Sequence, residues 1–205
     1  MEKNKVFIIT AVVIFLIFIS AFIIFVKMDR QYKFEAEQNG VRFVSDADDI
    51  STGLANFSGK NRFVVSPAFV EESPGNSLMG EAQIISSVVL IIKGKVVVQT
   101  VRGYDAEGIL LNCATNDANV HVNRNIDPVE CNEIISSETS GILLIQQPNT
   151  TLAKSEVELK GNVIEIRPKS YEDAPVAAFA VLEAMYPDSR QIVQGTNDLL
   201  GRVRA

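Results

Sequence analysis

The chain has 205 residues, 47% of them hydrophobic, with 25 acidic against 19 basic side chains and a net charge of −6. That acidity excludes a broad nucleic-acid-binding or anionic-lipid-binding surface, because both need a basic footprint. Beyond the first 26 residues the length suffices for one domain with a sizeable core.

The first element is the run VFIITAVVIFLIFISAFIIFV, Val6 to Val26, which carries no charge and only Thr10 and Ser20 as polar side chains. At about 1.5 Å rise per residue, such a helix spans roughly 30 Å, the depth of a bilayer's hydrocarbon core. In lipid every backbone amide must be satisfied within its own segment, and a soluble helix would show polar residues on each turn. After a short tail of residues 1–5, Val6–Val26 is therefore expected to be a single transmembrane helix, held by the lipid bilayer. A cleaved leader competes with this reading, with Lys3 and Lys5 as its basic start. However, the run exceeds the ~7–15 apolar residues of a leader, and Ser20–Ala21 behind Ile19 is a poor cleavage site. A pilin-like stem would carry an early acidic residue and a processed leader, and neither is evident. Basic residues flank the run on both sides, Lys3 and Lys5 before it and Lys27, Arg30 and Lys33 after it, so they do not orient it.

Residues 27–40 are polar with scattered Met28, Tyr32 and Phe34, and read as a juxtamembrane stalk. The expectation is a helix continuing for about two or three turns until Asn39–Gly40 stops it.

From Val41 onward, strand and helix signals alternate, defining a domain over 41–205. VRFVS is a strand candidate and DADDISTGLANF a first helix with acids in its opening turn. Asn61 to Phe69 is a buried strand, rich in β-branched and aromatic residues. After the turn EESPGNS comes a helix with an apolar stripe at Leu78, Ile84, Ile85, Val88, Val89 and Ile92, closed by Gly94. Lys95–Val101 and Gly108–Thr115 are strands whose short connection permits only an antiparallel hairpin. Asp127, Pro128 and Glu130 supply cap, first helical position and third position of a capping-box variant, starting the helix PVECNEIISSE. Gly141–Gln147 is a further apolar strand. SEVELKGNVIEIRP alternates on both sides of its turn, a hairpin with one wet face. EDAPVAAFAVLEAMYP is an Ala-rich helix, and the tail adds a short amphipathic one through Ile192, Leu199, Leu200 and Val203. Apolar strands separated by helices predict an α/β domain with a mixed, helix-flanked sheet. TNDANVHVNRNID is the one long polar loop.

Chemistry-bearing motifs are sparse. Cys113 and Cys131 are an even pair, expected to form a disulfide worth about 3 kcal/mol in a membrane-anchored domain, with two buried thiols as the alternative. Asn56 (NFS) and Asn149 (NTT) match the glycosylation acceptor pattern. Pair and acceptors together lean toward an extracytoplasmic domain. SPGNSLMGEA sets a glycine-rich turn between strand and helix, which makes Ser73, Gly75 and Asn76 ligand-loop candidates. Gly75 and Gly80 have Walker spacing, but Glu81 and Ala82 stand where Lys and Ser/Thr belong, and Glu71 and Glu72 repel an anion. A plain connection is the better reading. His121, the lone histidine, sits in the polar loop with no nucleophile-elbow serine to serve. Cys113, His121 and Cys131 lack the close cysteine pair of a zinc knuckle, and no C-x-x-C redox motif exists. Asp46–Asp49 resembles a calcium loop only in its start, because Phe57 occupies the position of the bidentate glutamate.

These observations select no catalytic, cofactor or metal residue. The expected function is that of a non-enzymatic subunit or adaptor of a membrane-associated assembly, partnered by other membrane proteins and not by nucleic acid. The alternative is a membrane-tethered enzyme or small-ligand-binding domain, with its site at the C-terminal ends of the strands, over Ser66–Asn76 and Asn112–His121.

Overall fold

The computed structural model describes residues 32–117 and 122–192, together with Phe15 and Ile19. The chain falls into two units, Met1–Tyr32 and Lys33–Ala205. Val6–Val26 lies outside the described residues apart from Phe15 and Ile19, both helical and exposed. Among the described residues no helix is long and apolar enough to cross a membrane.

The second unit is a mixed α/β domain. In chain order its elements are β1 (Phe34–Gln38), β2 (Val41–Ser45), α1 (Ile50–Ser58), β3 (Arg62–Val70), α2 (Asn76–Ile92), β4 (Val96–Tyr104) and β5 (Leu110–Asp117). There follow β6 (Val122–Ile126), α3 (Pro128–Ile135), β7 (Gly141–Ile145), β8 (Glu156–Lys160), β9 (Val163–Arg167) and α4 (Asp173–Met185). The strands form one sheet in the order β1-β2-β8-β9-β7-β3-β4-β5-β6. β9, β7, β3 and β4 run parallel, whereas hairpins β1–β2, β8–β9 and β4–β5–β6 supply the antiparallel pairs.

Successive residues of a strand point to opposite faces, so each strand feeds two layers. On one face Phe43, Phe63, Val65, Leu143, Ile145, Leu159 and Ile164 are fully buried beneath α1, α2 and α4. Each such side chain contributes roughly 1.5–3 kcal/mol. The Ala-rich side of α4 (Ala174, Ala177, Ala178) allows close approach to its neighbours. On the other face, Val64, Val98 and Ile142 are covered by Ile134 and Ile135 of α3. A disulfide joins Cys113 of β5 to Cys131 of α3, with a Cα–Cα distance of 6.1 Å and 18 residues of separation. It fastens that helix to the outer strands.

The caps follow the side chains. Asp127 accepts from the amides of Val129 and Glu130, each at 2.9 Å, with Pro128 in the first turn. Asp49 is the cap of α1, accepting from Thr52 N at 2.6 Å, so the acids before it precede the helix and do not line its first turn.

Three expectations are corrected. Phe34–Gln38 is an edge strand of the sheet, not the end of a helical stalk. Asn39 and Gly40, with φ of 54° and 77°, form the two-residue turn of the β1–β2 hairpin and not a helix stop. Second, the polar loop between the cysteines contains β6, paired antiparallel with β5. Third, α2 does not bury its apolar stripe. Its inward positions are Met79, Ala82, Gln83, Ser86, Ser87, Val89 and Leu90, so of the expected stripe only Val89 is buried. Three of these inward residues are polar, which misdirects a hydropathy-based choice of face. The tail expected to form a helix beyond Ile192 lies outside the described residues.

Candidate functional site

Because β9, β7, β3 and β4 are parallel, their C-terminal ends meet at one end of the sheet, where open α/β sheets usually bind ligands. The polar group at this end is built around Arg102 of β4, which is 3% exposed. Its Nε donates to Ser66 Oγ at 3.0 Å. Nη1 donates to Tyr104 OH at 3.2 Å and Gln146 Oε1 at 3.3 Å. Nη2 donates to the carbonyls of Ser66 and Ile145, at 3.0 and 3.4 Å. All five guanidinium N–H groups thus have acceptors, and every acceptor is neutral. Burial pushes the Arg102 pKa below its ordinary value, outweighing the opposing pull of Tyr104 and the Glu165 carboxylate. The guanidinium laces together the ends of β3, β4 and β7, with no donor left for a ligand. Gln146 extends the lattice, its Nε2 donating to Glu165 Oε1 at 3.1 Å, which also accepts from Arg167 Nε at 3.1 Å.

The glycine-rich turn before α2 is equally engaged. A Cβ on Gly75 would fall within the ring of Tyr171, so glycine is what lets that ring lie against the turn. Ser73 Oγ donates to the Tyr171 hydroxyl at 2.8 Å, which donates onward to Gln147 Oε1 at 2.9 Å. Asn76 is held by the backbone of Val70, donating to its carbonyl at 2.8 Å and accepting from its amide at 3.3 Å. Ser73, Gly75 and Asn76 therefore lie together, around an aromatic ring from the approach to α4. Asn112 lies over Gly103 at the same end of the sheet. His121 lies outside the described residues.

A cleft of about 600 Å³ lies elsewhere, lined by Glu35, Glu37, Arg42, Lys154 and Glu156 among others. Its charges are engaged in ion pairs with one another. Arg42 grips Glu35 through Nε and Nη2, at 2.7 and 2.9 Å, and Glu156 through Nη1 at 2.5 Å. Lys154 Nζ meets Glu37 at 2.5 Å. The hydrogen bond from Arg42 is the main reason the Glu35 carboxyl sits below the usual carboxylate range, although burial opposes it.

The remaining feature is the outward side of α2. Ile84 is 53% exposed, Ile91 39% and Ile92 57%, with Val88 half-buried among them. Positions 84, 88 and 91 share one helix face. The same helix turns Gln83, Ser86 and Ser87 inward, where Ser86 Oγ donates to Ala82 O and Ser87 Oγ accepts from Gln99 Nε2, both at 2.9 Å. Gln83 Nε2 has no hydrogen-bond partner among the described residues. Polar residues inside and isoleucines outside reverse the usual amphipathic order.

Cys113 and Cys131 are bonded to each other, so neither is a thiolate ligand. Asn56 is exposed on α1, and Asn149 is exposed in the β7–β8 connection. Sequence reasoning missed Arg102, Gln146 and Tyr171. The only local signal was an arginine inside the apolar segment KVVVQTVRGY.

No protein-family model matches the chain, no curated protein matches it in sequence, and no solved structure matches it in fold.

Proposed function

We propose that the protein is a single-pass membrane-anchored adaptor or subunit, whose α/β domain stands on the extracytoplasmic side and holds another membrane-tethered protein through α2. The observation that carries this reading is the reversed helix: Ile84, Val88, Ile91 and Ile92 face outward while Gln83, Ser86 and Ser87 face the sheet. Contiguous exposed apolar surface on a helix is most economically explained by a partner that covers it. An acidic chain disfavours anionic lipid and nucleic acid as that partner. The uncharged run Val6–Val26 is the proposed anchor. Confinement to a bilayer raises the effective concentration of a second anchored protein, so a modest patch suffices. The rival reading, a tethered enzyme or ligand-binding domain, needs free polar groups at the strand ends. There Ser73 and Tyr171 bond each other, Asn76 is held by the Val70 backbone and Arg102 by Ser66 and its neighbours, so each is already engaged within the protein.

The test uses the full chain in its native membrane, with a photo-crosslinking residue at position 91 and, as control, at Glu133 on α3. The expected result is a specific adduct from position 91 to a protein with its own transmembrane segment. That adduct should be lost in the double variant I84E/I92E, while the variant's unfolding midpoint stays unchanged. A monodisperse monomer in mild detergent, with equal crosslinking from both positions, overturns the adaptor reading. An adduct to a second copy of the chain would assign the same face to self-association and overturn the separate partner.

A further inference from the structure

We infer that Asn149, and not Asn56, is a glycan acceptor, its amide nitrogen attacking the first sugar carbon of a lipid-linked oligosaccharide. The inference rests on the extracytoplasmic placement proposed above. Both residues head an acceptor triplet and both are exposed, so sequence and accessibility do not separate them. Their local geometry does.

Asn149 opens the turn Asn149–Leu152, in which Leu152 N donates to Asn149 O at 3.1 Å. The turn is fastened by Asn149 N donating to Pro168 O at 2.8 Å. The side-chain oxygen Oδ1 accepts twice from the third residue of the triplet, from Thr151 N at 3.1 Å and from Thr151 Oγ1 at 2.6 Å. This is an Asx-turn closed by the threonine hydroxyl. It leaves Nδ2 with no hydrogen bond among the described residues, and Asn149, Thr150 and Thr151 are all exposed.

The chemistry favours that arrangement. An amide nitrogen is a poor nucleophile because its lone pair is delocalised into the carbonyl. Two donors on Oδ1 stabilise the negative charge that gathers on oxygen as Nδ2 gives up a proton. In the transfer, the Nδ2–C1 bond to the first sugar forms and the C1–O bond to the polyprenyl phosphate carrier breaks. The carrier leaves as its phosphate anion, and the Nδ2 proton passes to a base of the transferase.

Asn56 lies inside α1. Two positions along an α-helix project about 200° apart, so its hydroxyl partner Ser58 faces away from it. Ser58 Oγ instead donates to Ala55 O at 3.4 Å.

The test is cell-free translation of the full chain with rough microsomes, carrying a flexible C-terminal tag with a known Asn-Ser-Thr acceptor. Beyond the tag's own glycan, one further mobility step removable by a peptide-N-glycosidase is expected. N149Q and T151A should abolish that step, T151S should keep it, and N56Q should leave it unchanged. Formation of the Cys113–Cys131 bond in each variant reports that it has folded. A glycosylated tag with Asn149 unmodified, or a step that depends on Asn56, overturns the inference alone. An unmodified tag overturns the extracytoplasmic placement, and the inference with it.

Discussion

The two faces of the sheet are built on different terms. From β2 to β4 one face is covered by α1, α2 and α4, and its residues, among them Phe43, Phe63, Leu143 and Ile164, are completely buried. The opposite face is covered by α3 only over Val64, Val98 and Ile142. Beyond the helix it carries charge: Glu156 lies between Arg42 and Arg167, and Arg167 also meets Glu158 and Glu165. Where a helix lies over the sheet, apolar burial supplies the cohesion. Where none does, cross-strand ion pairs hold the register, and each is worth much less because solvent screens it.

Four measurements sharpen or break this contrast. The largest effect is expected from Phe63→Ala on the covered face. Phe63 is fully buried, with its ring 4.9 Å from that of Phe57, and truncation should cost about 3–5 kcal/mol in denaturant unfolding of the detergent-solubilised chain. A loss of under about 1 kcal/mol would mean that this face is not the main core.

Next comes the disulfide. The double variant C113S/C131S should lose about 3 kcal/mol, and amide exchange should rise first in α3, which the bond fastens to β5. Uniform acceleration across all helices would show that α3 is not a separately fastened lid.

Glu156→Gln tests the uncovered region. Glu156 is 5% exposed, but its partners Arg42 and Arg167 keep 38% and 31% of their side-chain surface in solvent. The expected loss is therefore at the low end for a charged hydrogen bond, about 1.5 kcal/mol, shrinking in high salt. A loss as large as that of Phe63→Ala would erase the distinction between the faces.

The smallest effect is a pH dependence at Glu35. Its carboxyl is held below the ordinary value of 4.5, chiefly by the hydrogen bond from Arg42. A depressed folded pKa contributes stability above the unfolded value and loses it as pH falls through the folded one. The small stability difference between the wild type and Glu35→Gln should thus be constant at neutral pH and vanish under acid conditions. Carboxyl NMR shifts of Glu35 provide the direct check; an ordinary midpoint would remove the ion pair from the description.

How much was legible depended on how local the signal was. β3 and β7 are nearly all apolar because both their faces are covered, and their strand character needed no partner to be seen. The cap at Asp127 lies within three residues of the amides it satisfies, and the alternation on β8 and β9 reports one buried and one wet face directly. β1 was misread because FEAEQ at an edge, half-buried at best, carries too little hydropathy contrast for the charged positions to mark a strand. The inward face of α2 was misread for the opposite reason: its two serines are satisfied by Ala82 O and Gln99, partners invisible in a hydropathy pattern. Arg102 escaped notice because its five acceptors come from β3, β4 and β7 and the residue that follows β7.

Sequence alone determined the class, a mixed α/β domain, together with the approximate placement of most strands and helices and the pairing of the two cysteines. Each rests on periodicity, capping or count, which are properties of neighbouring residues or of composition. Tertiary structure decided the strand order, which side of α2 meets the sheet, the acceptors around Arg102, and the packing of Tyr171 on the glycine-rich turn. Those depend on groups brought together from distant parts of the chain, where one polar atom's satisfaction is another's, and no local pattern encodes that reciprocity.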